Sequence, residues 1–425
     1  MDSAPRRFAV PSALSGPPEP PPAAGSTRGR LRLARVGAAG ITAMLVALLL
    51  GAAPASAAAP RLFVSPSGSD AGPCSRAHPC QTIGHAVMVA MPGTRIIVRS
   101  GTYNEAVVIP KRLKLIGHGA VIDASGTMGS IPGPLGDQGI IGWGMLIVGP
   151  DAAGTVVKGF TVENAPAEGM LAALTSDLTI KHNELRHNDR GATTAFDPLP
   201  FECAAQGEIP GDCGEALHLL SVADSKVAWN NVHDNVGGIL LSDEAGPNHG
   251  NRIAHNTSRD NKEDCGITLP SHNDAATTDP TKGGVYDNTI IGNWSIGNGG
   301  AGVGMFAAGP GMASYDNRVI ANVLRDNGEA GVAIHAHAPD QDVSGNFVAA
   351  NIISGNGVDP DFQSGDPAGP QDTGIVVASA VDPASVKVID NWISNEYWGL
   401  YESGPVSVTG VSTNHFASSV MYPTN

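Results

Sequence analysis

Histidines and carboxylates recur at matching offsets through the middle of the 425-residue chain. Counting from Gly191, Gly238, Gly266 and Gly331, the sixth following residue is Asp197, Glu244, His272 and His337, and the fourth after Gly331 is His335. If Ala216 takes the glycine's place in the segment EALHLL, His218 joins the row, with Asp243 and Asp274 beside it. Imidazole titrates near neutrality, and neighbouring carboxylates push each other's pKa values apart, so such a row suits general acid–base chemistry. His218, Asp243, Glu244, His272, His335 and His337 are therefore the candidate catalytic groups. Asp197, Asp274 and Phe306, the last at an even offset from Gly302, are candidate substrate contacts. The competing reading is that these residues open solvated loops, where Asp and Asn form turns.

Other chemistries stay open at the same residues. Asp243, Glu244 or Asp197 could supply the two carboxylates of a hydrolase. Ca2+ could be held through Asp243, Glu244 and Asp274, and His335 with His337 and Asp340 could share a metal. Cys265 has inward parity and reads as a buried apolar residue rather than a nucleophile.

Residues so far apart in sequence meet only if a repeated element stacks them. Aligning the segments KHNELRHNDRG, WNNVHDNVGG, AHNTSRDNKEDCG, IGNWSIGNGGAG, IANVLRDNGEAG, AANIISGNG and IDNWISNEYWG gives two columns of asparagine. The first is Asn183, Asn231, Asn256, Asn293, Asn322, Asn351 and Asn391; the second is Asn188, Asn235, Asn261, Asn298, Asn327, Asn356 and Asn395. Steps between units range from 25 to 48 residues, which is a constant core unit with inserted loops. Each unit is too short to bury an apolar face alone and must stack on its neighbours.

After each second Asn comes a glycine and a short strand of period two, such as GILL, GITL, GVGMF and GVAIH. In these strands the odd offsets are apolar and face in, so the even offsets face out. Stacked amides can hydrogen-bond from rung to rung, which explains an Asn at each bend. The leucine-rich frame is absent, and the uneven period argues against a propeller. Near the N-terminus, Ile83, Ala86, Val87 and Met91 share a helical face, so a short helix over 82–91 is expected to plug one end of the solenoid.

The stretch from Phe63 to Asp123, with PGTRIIV and SGTYNEAV, resembles the opening of the pectate-lyase-like β-helix proteins. The Asn/Gly units resemble the repeats of polysaccharide lyases, C5-epimerases and carbohydrate-binding relatives, and together the likeness covers about five sixths of the chain. The resemblance implies an all-β fold, a single-stranded right-handed parallel β-helix with an N-terminal capping helix. It also implies a polysaccharide or oligosaccharide as partner, and a lyase, glycoside hydrolase or epimerase as activity, with a non-catalytic glycan-binding solenoid as the alternative. Neither an Asp-Pro-His-Asp epimerase motif nor an Arg-Pro or Lys-Arg lyase constellation is present.

Residues 1–59 read as an export leader, and residues 60–425 as the β-helix domain. Arg28, Arg30, Arg32 and Arg35 precede the apolar run from Val36 to Ala53, and the small-residue site Ala55-Ser56-Ala57 follows. An uncleaved anchor is the alternative, since the run is just long enough to span a bilayer; after cleavage no stable membrane association is expected. The leader holds six of the 25 basic and two of the 40 acidic residues, leaving 19 against 38, a formal charge of −19. So acidic a chain repels polyanions, which excludes nucleic acid as a partner. In an exported chain, Cys74 with Cys80 and Cys203 with Cys213 form local pairs suited to disulfides, leaving Cys265 free.

Overall fold

The computed structural model describes residues 60–125, 127, 129–130, 140–188, 215–359 and 371–425. The chain winds as a solenoid, and almost every strand pairs in parallel with its counterpart one repeat later. One sheet holds eleven parallel strands stacked in chain order, from Val107–Ile109 to Tyr422–Thr424. A larger parallel sheet takes the strands of the other faces, and Asn248–His249, Val285–Tyr286 and Ser314–Tyr315 make a short third one. This is the architecture expected from the repeats. No helix among the described residues is long and apolar enough to cross a membrane.

The interior is filled column by column. Leu217, Ile239, Ile267, Val303, Val332 and Ile375 lie in one register column, all fully buried. Each such side chain contributes about 1.5–3 kcal/mol on burial, and only the stack supplies the partners.

The bends are made by single left-handed residues followed by a ladder amide. Asn183, Asn230, Asn256, Asn293, Asn322, Asn351, Asn391 and Asn414 form one ladder, in which each main-chain N–H and each Nδ2 donates to the next Oδ1. The second ladder runs Asn188, Asn235, Asn261, Asn298, Asn327, Asn356 and Glu396. Two members therefore differ from the sequence alignment: Asn230 replaces Asn231, and Glu396 replaces Asn395. Trp229 and Asn395 occupy the left-handed position, with φ of 60° and 56°, so the residue after each must carry the ladder. The two ladders then sit five residues apart throughout. A third ladder, Ser225, Asn251, Asn288, Asn317 and Asn346, runs five residues ahead of the first and escaped the alignment, whose segments begin after it.

The capping helix spans Ile83–Val89, with the Thr82 side chain accepting from the His85 N–H. Ile83, Ala86 and Val87 are buried in the core cluster, but Met91 is 66% exposed because the helix has ended two residues before it. The SGTYNEAV motif now has a structural reason: the Glu105 carboxylate accepts from the first helical N–H groups, Ile83 at 2.7 Å and Gly84 at 2.9 Å. Cys74 and Cys80 form a disulfide, whereas Cys203 and Cys213 lie outside the described residues. Cys265 is free and buried, as expected, but not in the interior. It packs with Ala301, Ala330, Ala333, Val376 and Tyr401 in a separate cluster. Alternation fails at the following glycine, where the chain turns into the strand, so Cys265 joins the outward-facing Ala333 rather than the inward Val332.

Candidate functional site

The outer face of the eleven-stranded sheet carries the polar chemistry. Leu217 and Leu219 point into the core, so His218 between them points out, in register with Leu171 before it and Leu240 after it. Ser242 ends the next strand and pairs with Leu220. Glu168 opens the preceding strand, Glu168–Ala173, and Glu244 and His272 follow the ends of two later strands.

These five side chains form one continuous hydrogen-bonded row. Glu168 Oε1 lies 2.9 Å from His218 Nδ1, and His218 Nε2 lies 2.7 Å from Ser242 Oγ. Ser242 Oγ is 2.5 Å from Glu244 Oε2, and Glu244 Oε1 is 2.8 Å from His272 Nδ1. The row is shielded from water: Glu168, His218 and Ser242 are 5%, 6% and 0% exposed.

Burial alone would raise the Glu244 pKa. The hydrogen bond and charge of His272, the charge of His218 and the Ser242 hydroxyl outweigh it and hold the carboxyl at about 2. Asp243 next door moves the other way, to about 6, because desolvation dominates and the Glu244 charge adds to it. Its carboxylate nevertheless accepts from His272 N at 2.6 Å, Ser271 Oγ at 2.9 Å and Gly284 N at 2.5 Å. Asp243 is thus a positioning residue that fixes the backbone of His272, and not a member of the row.

Two proton arrangements fit the row. With Glu244 ionised, the single Ser242 proton can go to Glu244, and an imidazolium at His218 then donates to both Glu168 and Ser242. When His218 is neutral with its proton on Nδ1, the hydroxyl donates to Nε2. Conversion between the two is a proton gained or lost at His218.

The other expected site residues fall elsewhere. His335 is buried against Asp359, 2.7 Å away, and its strand is three places beyond that of Ser242, roughly 14 Å at about 4.8 Å per strand. It belongs to a different locality, with the Phe306 ring 5.3 Å away. Phe306 lies over Gly304 in the outer apolar cluster and packs there instead of presenting a free sugar platform. His337 is exposed, its main-chain N–H donating to Gln341 Oε1. Asp274 is exposed and lines a separate open groove of about 1030 Å³ with Tyr315, Asp340, Asp342 and Asp382. Asp197 lies outside the described residues.

A shared Ca2+ at Asp243, Glu244 and Asp274 does not fit, because the first two have spent their oxygens on internal donors and the third faces the groove. Among the described residues, the one trio with ligand atoms close enough for a common ion is Cys74, Cys80 and His85, and its two cysteines are disulfide-bonded. Glu168 and Ser242 were missed in sequence. Ser242 sits at the outward fourth offset from Gly238, so the parity rule reaches it once hydroxyls are considered with ionisable groups.

One more feature borders the row. Leu146, Val148, Leu171, Ala173 and Leu220 form an apolar cluster outside the core. Leu171 is the register neighbour of His218, and Leu220 that of Ser242.

Fold and ladders define a parallel β-helix. The chain belongs to a β-helix family described as "Protein of unknown function (DUF1565)", which matches residues 66–297, more than half of its length. No curated protein matches it. Among solved structures it is similar to pectate lyase Pel9A, at 15% identity and a TM-score of 0.43, covering 84% of this chain and 78% of that one. It is also similar to the A-module of the mannuronan C-5 epimerase AlgE4 of Azotobacter vinelandii, at 13% identity and a TM-score of 0.45, covering 78% and 89%. The surface adhesin PfbA of Streptococcus pneumoniae matches at 13% identity and a TM-score of 0.45, covering 80% and 88%.

Proposed function

We propose that this chain is an exported enzyme that modifies a polysaccharide by proton transfer on the outer face of its eleven-stranded sheet. The observation that carries the reading is the row Glu168–His218–Ser242–Glu244–His272, five side chains hydrogen-bonded in sequence, the first three buried and the last two half-buried. A solvent-side face is ordinarily made of isolated polar residues, and a buried polar row in a low dielectric is costly unless it works. The saccharide class is supported by the likeness of the Asn/Gly repeats to those of polysaccharide lyases and epimerases, and by an acidic charge unsuited to nucleic acid. Export is supported by the Cys74–Cys80 disulfide and by the arginine-led apolar run ahead of residue 60.

The test is a product screen of the purified protein on plant, algal and bacterial glycans, following reducing ends, unsaturated sugars, released acid and, by NMR, epimerised sugars. Turnover of at least one glycan is expected. Binding to a glycan with none of these four products would make the protein a binding solenoid and defeat the reading.

A further inference from the structure

Resting on that reading, we propose that the bond broken is an ester on the glycan, with Ser242 as nucleophile, His218 as its base and Glu168 as the group that orients the imidazole. Three features of the structure converge here. First, the order of contacts is that of an acyl-transfer centre. The carboxylate meets Nδ1 at 2.9 Å and Nε2 meets the hydroxyl at 2.7 Å, so the Glu168 contact places the imidazole proton on Nδ1 and makes Nε2 the acceptor facing Ser242. Second, the Ser242 hydroxyl carries one proton and reaches two acceptors, so Glu244 Oε2 holds it in the resting arrangement and Nε2 of a neutral His218 takes it over for the attack. Third, the side chains in register before His218 and Ser242 are Leu171 and Leu220, part of the outer apolar cluster with Ala173 and Val148. These side chains are themselves buried, so the surroundings of Ser242 are apolar and poor in water, and they match the alkyl part of a small acyl group better than a hydroxyl-bearing sugar ring. The substrate class is therefore an O-acylated saccharide with a small apolar acyl group.

The steps balance without a metal or redox partner. Ser242 Oγ bonds to the ester carbonyl carbon as its proton passes to His218 Nε2. The bond from that carbon to the sugar oxygen then breaks, and the sugar hydroxyl leaves with the proton from His218. Water attacks the acyl-serine, gives its proton to Nε2, and the carboxylic acid departs as the proton returns to Ser242 Oγ.

The experiment treats the full chain with a fluorophosphonate probe, maps the labelled peptide, and measures acid released from acetylated xylan and from p-nitrophenyl acetate. Label on Ser242 is expected, and Ser242→Ala should lower acid release about 10³-fold or more with the β-rich circular dichroism unchanged. Should Ser242→Ala fail to fold, labelling of the wild-type serine decides alone. Glu244→Gln should move the acid limb of the pH–activity profile to lower pH, because it removes the charge that favours the imidazolium. A merely structural Glu244 would leave that limb in place. Absent label on Ser242, or undiminished release by a folded Ser242→Ala, overturns the assignment. If acid release fails while glycan chains are cleaved to new reducing ends or unsaturated sugars, the ester assignment falls and the broader reading stands. If no product of any kind forms, both fall.

Discussion

Replacing Glu396 by Gln should make the solenoid less sensitive to alkali. Glu396 stands where an asparagine would continue the second ladder, and its Oε1 accepts from Asn356 N at 3.1 Å and Asn356 Nδ2 at 3.0 Å. Its Oε2 is buried without a hydrogen-bond partner. Desolvation outweighs the Asn356 bonds, the Asp372 charge adds to it, and the carboxyl is pushed up to about 8 from 4.5. The unfolded chain thus loses this proton near 4.5 while the folded chain keeps it to about 8. Stability falls as pH rises through that window and is flat above it, by about 1.4 kcal/mol per unit and a few kcal/mol in total. Glutamine keeps the acceptor and removes the charge, but places an amide N–H₂ where Oε2 found no partner, a pH-independent cost of roughly 1–2 kcal/mol. Glu396→Gln should then be more stable than the wild type at pH about 8, by roughly 2 kcal/mol, and equal or slightly less stable at pH about 5. Thermal melts followed by circular dichroism at the two pH values test this. Hydrogen exchange in Trp392–Ser394 and Trp398–Ser403 resolves the last rungs if they open first. An equal difference in Tm at both pH values would refute the reasoning.

Asn322→Ala should destabilise the fold by roughly 2–4 kcal/mol, measured by urea denaturation, because the amide accepts from Asn293 N and Nδ2 and donates to Asn351 Oδ1 and the Ile290 carbonyl. His335→Ala should lower Tm by exposing the buried Asp359 to the loss of its partner, yet leave turnover within about twofold, since His335 is outside the row. Burial pushes the Cys265 thiol well above its ordinary range, so a neutral-pH thiol reagent should label it only after unfolding, as read by mass spectrometry.

Much of the architecture was legible because the ladders write themselves into sequence. A hydrogen-bonding side chain, most often an Asn amide, follows each left-handed bend of the ladders, and that demand repeats at every rung. The misplaced members show the limit. WNN and SNE each contain an asparagine at the bend or beyond it, and only the backbone angle shows which residue enters the ladder. Of the site, His218, Glu244 and His272 were legible through outward parity. His335 and Phe306 obeyed the same parity but lie strands away, because parity reports the face of a residue and not its height along the solenoid. Glu168 was missed for another reason: it reaches diagonally across strands to His218, a contact that no single-strand offset describes.

The most direct test of the account is the turnover of His218→Ala beside its Tm on whichever glycan scores in the screen. The row predicts a loss of about 10² to 10⁴ fold, the range for removing a general acid or base, with the β-rich fold retained. Full turnover by a folded His218→Ala would contradict it.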